Sequence, residues 1–484
     1  MREETLRVER VTLRYNGNVS LDNINFNIYK GEVMGMIFLT SQGKQELIEL
    51  LYQNTPINNG RIYINGQLVN TYQNNVPSGP NRIPIIGRDV RLIETLTVAD
   101  NIFVMRRGLK KYLINRRLLE SQFYFWFEEL NTGIDPNALI SDLSKAERCM
   151  VELFRAIVAG SKLIIIQEIA SFLTSDDLCR FYELIQYYKQ QGISFLYIGN
   201  HHEEVFRICD RVSLMKNARV IRIFEKDELN DINIRPYTIS FDVRENHTKE
   251  PMCRGVLNFA QVTTNAWKQV SFSIKKGECV VFLDNSNECL SDFLELVCYQ
   301  KQPISGKVFY DSFMHQNGIK KHWIEDKILQ ISENPVKDLI FWNLNYMENL
   351  CFLIDRKAKN LCLSKHVVES IKKEYKSYVG DEIETENLRT LDIRSLYNLI
   401  YYRVHLFNPN LLICIQPFSG LDMYMRRHVV GLLYELQKKG ITIIIWSVNL
   451  SDCLSVADRL FLLEKGQIKR TYEKEEFYYF REKR

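Results

Sequence analysis

The sequence predicts an α/β protein built of two domains of similar size in tandem. Three observations lead to this prediction: the length of the chain, an internal repeat, and short apolar runs that alternate with amphipathic segments. The chain has 484 residues, whereas a single hydrophobic core usually stops growing at roughly 250 to 300 residues. Short, almost continuously apolar runs alternating with helices are typical of parallel strands covered on both faces.

The repeat spans nearly the whole chain. KGEVMGMIFL from Lys30 matches KGECVVFLDN from Lys276, and CDRVSLMKNARVI around Asp210 matches ADRLFLLEKGQIK around Asp458. A second apolar run stands between these landmarks in each half, in KLIIIQEIASFLT and NLLICIQPFSGLD. Each half is therefore expected to contain the same order of strands, loops and helices.

A polar stretch separates the two halves. It contains Pro236, Pro251 and many charges, and no apolar periodicity long enough for a helix or strand. We predict a first domain at residues 1–235, a linker at 236–254 and a second domain at 255–484.

The composition narrows the class of protein. It is 46% hydrophobic and 25% charged, as is usual for a globular protein with a sizeable core. A net charge of +4 with both signs scattered argues against a nucleic-acid partner. No apolar run approaches the roughly 18 residues of a membrane helix. Eleven cysteines without metal-ligand spacing predict buried thiols in a reducing compartment and no metal site.

The first half contains part of a phosphate-binding loop. The pattern G-x-x-x-x-G-K-[S/T] brings backbone N–H groups, a lysine and a metal-binding hydroxyl to the phosphates. Residues 38–45, FLTSQGKQ, keep Gly43 and Lys44, but Phe38 replaces the first glycine and Gln45 the hydroxyl. A Gly-Lys pair alone is common in surface turns, although a strand before it and a helix after it favour a phosphate loop. The candidate nucleotide-binding residues here are Ser41, Gln42, Gly43, Lys44 and Gln45.

The matching loop of the second half, LDNSNECLS, has lost this chemistry. Asp284 replaces the first glycine, Cys289 the second and Leu290 the lysine, and Ser291 alone keeps a hydroxyl. Because an acidic side chain repels phosphate, we predict no tight phosphate site in the second half.

The order of these segments, occurring twice, resembles the tandem ABC ATP-binding subunits of ribose- and galactose-type sugar importers. The segment ISENP with Glu333 is similar to a variant of that family's second domain. The resemblance implies two ABC-type P-loop nucleotide-binding domains, each with a helical subdomain, and it implies ATP, with or without Mg²⁺, as the ligand.

The resemblance also assigns roles to the ends of the apolar runs. In the family this strand ends in two acids, one for the Mg²⁺ shell and one that polarises the attacking water. Here IIIQE and LICIQ leave Glu168 as the one candidate catalytic carboxylate, since Gln167, Ile415 and Gln416 are neutral. Arg88 stands where the family places a glutamine that reaches the metal.

Two further residues are candidate nucleotide contacts by resemblance. Tyr15, expected just before the first strand pair, either stacks on adenine or is an ordinary strand tyrosine. Ser144 of LSKAE corresponds to the serine that the signature loop presents to the γ-phosphate, whereas LDIRS has Asp392 instead. The alternative for both loops is an ordinary helix start. The switch histidine is replaced by Asn200 and Val448.

We therefore expect an ATP-binding-type subunit with weak nucleotide binding and little hydrolysis, acting as a scaffold or regulator. Its expected partner is a membrane permease, with an extracellular sugar-binding protein contacted only indirectly, and its expected place is the cytoplasmic face of the cell membrane. The alternative is an active ATPase that energises monosaccharide import through Lys44 and Glu168. A tandem ABC protein acting on the ribosome is a third class, but its strong motifs and long charged interdomain helix are missing.

Overall fold

The computed structural model describes residues 2–15, 18–73, 79–89, 91–103, 115–130, 132–234, 236–237, 252–284, 288–310, 313–314, 327–354, 365–448, 450 and 453–477. The chain divides into two compact units, Met1–Ser240 with Gly420–Tyr424, and Phe241–Ser419 with Met425–Arg484. Residues 238–251, most of the predicted linker, lie outside the described ranges. The first strand of the second half begins at Met252, three residues before the predicted start of the second domain.

The strands of the first unit form two sheets. An antiparallel sheet has the order β2-β1-β4-β5, and a second sheet has the order β10-β9-β3-β8-β7-β6. In the second sheet β10 pairs antiparallel with β9, and the other pairings are parallel. The strands are β1 Glu4–Tyr15, β2 Asn18–Tyr29, β3 Val33–Phe38, β4 Asn59–Ile64, β5 Gln67–Thr71, β6 Ile85–Ile86, β7 Leu163–Gln167, β8 Ser194–Gly199, β9 Arg211–Lys216 and β10 Arg219–Phe224.

The helices of the first unit follow the amphipathic segments. They are α1 Lys44–Gln53, α2 Val98–Phe103, α3 Arg116–Phe127, α4 Lys145–Val158, α5 Ser175–Gln190, α6 His202–Ile208 and α7 Asp231–Ile234. The apolar face of α1 packs with strands of both sheets in one hydrophobic core. That core fixes the start of α1, and with it the phosphate loop, at the end of β3.

The second unit repeats this architecture. Its sheets have the orders β12-β11-β14-β15 and β16-β17-β18-β13-β19-β20. The strands are β11 Met252–Thr263, β12 Val270–Lys276, β13 Cys279–Asp284, β14 Ser305–Tyr310, β15 Phe313–Met314, β16 Ile328–Ile331, β17 Leu411–Ile415, β18 Thr442–Ser447, β19 Arg459–Glu464 and β20 Gln467–Glu473. The helices are α8 Leu290–Val297, α9 Pro335–Leu339, α10 Tyr346–Cys351, α11 Lys365–Val379, α12 Ile393–Phe407 and α13 Met423–Lys438.

The same buried ion pair ties the two sheets together in each unit. Arg211 donates from Nε to Glu32 at 2.6 Å, and its Nη2 reaches the carbonyl of Asn27 at 2.9 Å. In the second unit Arg459 donates to Glu278 at 2.5 Å and to the carbonyl of Ser273 at 2.6 Å. Because these contacts use side chains and backbone of the unit alone, they hold each frame without a ligand.

The helical segments also repeat their polar contacts. The buried Asn101 side chain accepts from the N–H of Ile93 at 2.8 Å and donates to the carbonyl of the same residue at 3.1 Å. Asn349 does the same with Phe341, at 3.0 and 2.9 Å. The predicted α/β architecture, repeated in two units, is confirmed, whereas the antiparallel sheet of each unit is an addition to it. Among the described residues no helix has the length and apolar character needed to cross a membrane.

Candidate functional site

The candidate site of the first unit lies where β3 ends and α1 begins. Gly43 precedes α1 with φ +85°, in the left-handed region that favours glycine. A Cβ added there would approach the carbonyl oxygen of Ser20 to 3.0 Å and Leu21 Cδ2 to 3.2 Å. Glycine is therefore required both by the turn and by the close packing of the neighbouring strand. Lys44 follows as the first residue of the helix.

Lys44 forms an ion pair with Glu168, and only 16% and 15% of the two side chains are exposed. Burial lowers the pKa of the Lys44 ammonium to about 8, so it keeps its proton at pH 7. Glu168 follows β7 with φ +51°, and its N–H donates to the carbonyl of Ile198 at 2.8 Å. The structure thus brings together the two residues that sequence reasoning assigned to phosphate binding and catalysis.

The other predicted loop residues make local contacts, except that the N–H of Ser41 donates to the carboxylate of Asp422 at 2.7 Å. The Gln42 amide donates to the carbonyl of Val19 at 3.3 Å, and the N–H of Lys44 donates to the carbonyl of Ser41 at 3.3 Å. The Gln45 side chain donates to Glu49 one turn further along α1, at 2.9 Å. The amide at the position of the metal-binding hydroxyl is thereby directed along the helix surface.

Tyr15 lies at the end of β1, where it pairs with Asn18 of β2. The prediction that it precedes the first strand pair is wrong, because β1 runs for 12 residues and continues through register irregularities up to Tyr15. The Tyr15 side chain lies outside what the structure describes, so its stacking on adenine stays a prediction.

Arg88 approaches the turn that carries Glu168. Its Nη2 lies 3.5 Å from Ser171 Oγ, and Ser171 Oγ donates to the carbonyl of Glu168 at 2.7 Å. Gly87, the residue before it, packs closely on Gln167, since an added Cβ would meet the Gln167 carbonyl oxygen at 3.2 Å. A cation and a neutral amide therefore stand beside the one retained carboxylate.

These residues do not fit the Mg²⁺ that the family resemblance implies. Mg²⁺ is held by hard oxygen ligands, usually including one or two carboxylates. Here Gln45 and Gln167 are neutral, Arg88 is cationic, and Glu168 is already paired with Lys44. Within the described ranges, no group of three or more His, Cys, Asp and Glu side chains is arranged to hold a metal ion.

Ser144 forms the N-cap of α4. Its hydroxyl accepts from the N–H of Glu147 at 3.2 Å, and the Glu147 carboxylate accepts from the N–H of Ser144 at 2.8 Å. This reciprocal pair is a capping box. Asp392 caps α12 by accepting from the N–H of Ser395 at 2.7 Å. Both signature-like loops therefore supply the cap of the helix that follows them, and contact of Ser144 with a nucleotide remains a prediction.

The corresponding loop of the second unit is filled by its own side chain. Asp284 is buried at 1% exposure, and its Oδ2 accepts from the N–H of Cys289 at 3.0 Å. Cys289 stands where the first half has Gly43 and precedes α8 as Gly43 precedes α1. A carboxylate therefore occupies a backbone N–H at the helix start, a position where a phosphate oxygen binds in intact loops.

A buried indole covers the same loop and was missed by sequence reasoning. Trp267 is fully buried, and its Nε1 donates to the carbonyl of Cys289 at 3.1 Å. Its ring lies 6.1 Å from Trp446 and 6.2 Å from Phe293, measured between ring centroids. Leu21 occupies the matching place in the first unit, since the N–H of Asp22 donates to the carbonyl of Ala218 as that of Lys268 donates to Gly466. The available signal was one large aromatic residue within the mostly polar segment TTNAWKQ at residues 263–269.

Nearby, Asp292 carries a second polar cluster. It accepts from the hydroxyl of Thr264, from the N–H of Ala266 at 3.0 Å and from Lys301 at 2.5 Å. These contacts lower the pKa of Asp292 against the opposing effect of burial. The first turn of α8 is thus held by protein groups alone.

Comparison with known proteins shows which proteins this chain resembles. A family model for ABC transporter domains matches residues 21–171. The ribose import ATP-binding protein RbsA of Clostridium perfringens strain SM101 is 24% identical, with 98% of this chain and 96% of that protein covered. The predicted family resemblance is confirmed. This tandem ABC chain is also 23% identical to the galactose/methyl galactoside import ATP-binding protein MglA of Fusobacterium nucleatum, over 96% of this chain and 94% of that protein.

Solved structures agree on the fold of this tandem ABC chain. A structure described as ribosome-bound archaeal Pelota and ABCE1 matches 98% of this chain and 80% of that chain, with a TM-score of 0.63 and 15% identity. A complex of archaeal ribosomal stalk protein aP1 with the recycling factor aABCE1 gives a TM-score of 0.59 at 16% identity, over 98% of this chain and 92% of that chain. At such identities the likeness shows the tandem ABC fold alone.

Proposed function

We propose that this chain is the ATP-binding-type subunit of a sugar ABC importer in which nucleotide binds weakly at the first unit and not at the second. It serves as a scaffold or regulatory subunit with little hydrolysis, a pseudo-ATPase bound to a membrane permease at the cytoplasmic face. The extracellular sugar-binding protein is contacted only through that permease, and nucleic acid is not a partner. The full-length similarity to RbsA and MglA supports the importer assignment.

The observation that carries the proposal is the contrast between Lys44 and Asp284. The first unit keeps a lysine at the start of α1, with the ammonium protonated at pH 7. The second unit directs a buried carboxylate to the N–H of Cys289 instead. A phosphate oxygen would have to displace that carboxylate and approach it without a lysine, which is electrostatically unfavourable.

The little hydrolysis that we propose follows from the contacts of the one candidate catalytic carboxylate. Glu168 is the one candidate for polarising water, and its carboxylate is engaged by Lys44. A general base must be within hydrogen-bond reach of the proton that it removes and must be available to accept it. When phosphates draw Lys44 away, Glu168 is released, but a metal shell to position the water is still missing around Gln45 and Gln167.

The alternative is an active ATPase that energises monosaccharide import. The approach of Lys44 and Glu168 to one another favours this alternative, because both retained groups lie at the same site. Turnover that depends on Glu168 would support it.

The test is a titration of the full-length protein with a fluorescent ATP analogue at pH 7, with turnover followed in parallel. Lys44→Ala is expected to abolish saturable binding, Glu168→Gln to leave binding in place, and turnover to be near background in every variant. Ser291→Ala, which removes the hydroxyl retained in the second loop, is the control and is expected to bind like wild type. Turnover well above background that disappears in Glu168→Gln would establish the active ATPase, and absence of binding by the wild type would refute the nucleotide contact.

A further inference from the structure

We propose that the first unit binds the nucleotide polyphosphate without a metal ion, and that the guanidinium of Arg88 supplies positive charge that Mg²⁺ brings elsewhere. This inference rests on the proposed nucleotide contact at Lys44. The ligand is a nucleoside di- or triphosphate without a bound metal ion.

The first step is the loss of metal ligands on both sides of the site. Gln45 donates its amide to Glu49, 2.9 Å away on the next turn of α1, and so points a donor group along the helix. Gln167 ends β7 as a neutral side chain where an acid would stand. Because a divalent cation needs oxygen ligands whose charge offsets its own, these two positions leave it poorly held.

The second step is the placement of Arg88. Close packing of Gly87 on the Gln167 carbonyl fixes the backbone beside the end of β7. From there the guanidinium reaches Ser171 Oγ at 3.5 Å and lies over the Phe172 ring, 5.9 Å from its centroid. Ser171 is tied to the carbonyl of Glu168 at 2.7 Å. Arg88 is therefore held at the turn of the residue that pairs with Lys44.

The third step is charge. Lys44 and Arg88 contribute two positive charges, and Glu168 and Asp422, whose carboxylate accepts from the N–H of Ser41 at 2.7 Å, contribute two negative charges. A polyphosphate that takes the place of these carboxylates would face two cations without any metal ion. Guanidinium groups also match phosphate oxygens geometrically, through two parallel N–H donors. The Arg88 side chain is exposed, so a phosphate can reach its guanidinium from solvent.

The experiment measures the affinity of the full chain for fluorescent ADP and ATP analogues in EDTA and in excess Mg²⁺. Wild-type affinity is expected to agree within about twofold between the two buffers. Arg88→Gln is expected to weaken binding in EDTA by roughly tenfold or more, and Arg88→Lys by less. Arg61→Gln, which removes an exposed arginine from β4, is the matched control and is expected to bind like wild type.

A double variant sharpens the test. Gln45→Ser with Gln167→Asp restores the oxygen ligands, and in this variant binding is expected to become tighter in Mg²⁺ than in EDTA. Wild-type binding that requires Mg²⁺, or binding in EDTA that is unchanged in Arg88→Gln, would overturn the metal-free site while leaving the proposed nucleotide contact standing. Wild-type protein that binds in neither buffer would overturn both.

Discussion

The two phosphate-loop regions differ although their surroundings match. In the first unit Gly43 packs closely against Leu21, and Lys44 forms an ion pair with Glu168. In the second unit Asp284 accepts from Cys289, and Trp267 donates to the carbonyl of Cys289. The first loop keeps a lysine, and its Ser41 N–H donates to Asp422 at 2.7 Å, whereas the second loop has no lysine and its helix-start N–H donates to Asp284. The two loops therefore differ most in whether a cation lies at the helix start.

The frame around both loops has remained the same. The ion pairs Glu32–Arg211 and Glu278–Arg459 join the sheets in each unit. Arg155 donates to the carbonyl of Arg91 at 2.8 Å, and the matching Arg403 donates to the carbonyl of Leu339 at 2.6 Å. These contacts do not involve the phosphate loop, which explains how one loop changed without loss of the fold.

The largest expected effect is that of Trp267→Ala. Removing a fully buried indole from an aromatic cluster is expected to destabilise the second unit by about 3 to 5 kcal/mol, while nucleotide binding by the first unit is unchanged. Chemical denaturation followed by circular dichroism measures the loss. Trp126→Ala, at a residue 40% exposed on α3, is the control; equal losses in the two variants would contradict the role of Trp267.

The next largest effect on stability is expected at Glu152, which is 2% exposed. The apolar Ile400 stands at the matching position of the second unit. Burial raises the pKa of Glu152 to about 7, so the folded state holds a proton that the unfolded chain loses near pH 4.5. Its stabilising contribution is complete below pH 4.5 and is lost as the pH rises to about 7. Glu152→Gln is expected to raise stability at pH 8 by up to about 3 kcal/mol.

Melting curves of the wild type and Glu152→Gln at pH 5 and pH 8 provide the measurement for this prediction. The difference in melting temperature between the wild type and Glu152→Gln is expected to be larger at pH 8 than at pH 5. The exposed Glu183→Gln serves as the control and is expected to show no such pH dependence. A gap of the same size at both pH values would mean that Glu152 does not hold a proton in the folded state.

Asp284→Ala is expected to cost about 1 to 3 kcal/mol, because it leaves the N–H of Cys289 buried without the carboxylate that it now contacts. Asp284→Asn keeps an acceptor oxygen and is expected to cost less. Thermal unfolding of the second unit measures the loss of stability in both Asp284 variants. If the alanine variant proved as stable as the wild type, the filled loop would not contribute to the stability of that unit.

The smallest expected loss of stability is that of removing a helix cap. Ser144→Ala and Asp392→Ala are each expected to cost about 1 kcal/mol, since both side chains accept from a backbone N–H in the first turn. Hydrogen bonds from Ser395 lower the pKa of Asp392, so its contribution is present above pH 3.8 and is lost as the pH falls through its folded pKa. The Ser144 contribution is expected to persist at that pH, and unfolding at pH 3 and pH 7 separates them.

The sequence predicted the parallel strands well because apolar runs such as that of β7 are buried along nearly their whole length. It also placed Lys44 and Glu168 at one site, since a strand, a loop and a helix in that order fix where each residue emerges. It did not predict the antiparallel sheets, whose strands alternate and bulge, as β1 does around Val8 and Val11.

The contents of the second loop were predictable only in part. Asp284 was expected to repel phosphate, but nothing in its spacing indicated that it accepts from Cys289. Trp267 lies 22 residues before Cys289, and contacts at such separations depend on how the sheets pack. Arg88 was noted as a substitution, and its position beside Ser171 came only from the structure.

The buried carboxylate of Asp284 bears on how the second unit would respond to nucleotide. Under the proposed function, the unit whose own carboxylate accepts from the helix-start N–H would not respond to the ratio of ATP to ADP, and the unit with Lys44 would. In a complex, one unit of such a chain would report the nucleotide level and the other would not. Added nucleotide should therefore raise the unfolding temperature of the first unit and leave that of the second unchanged.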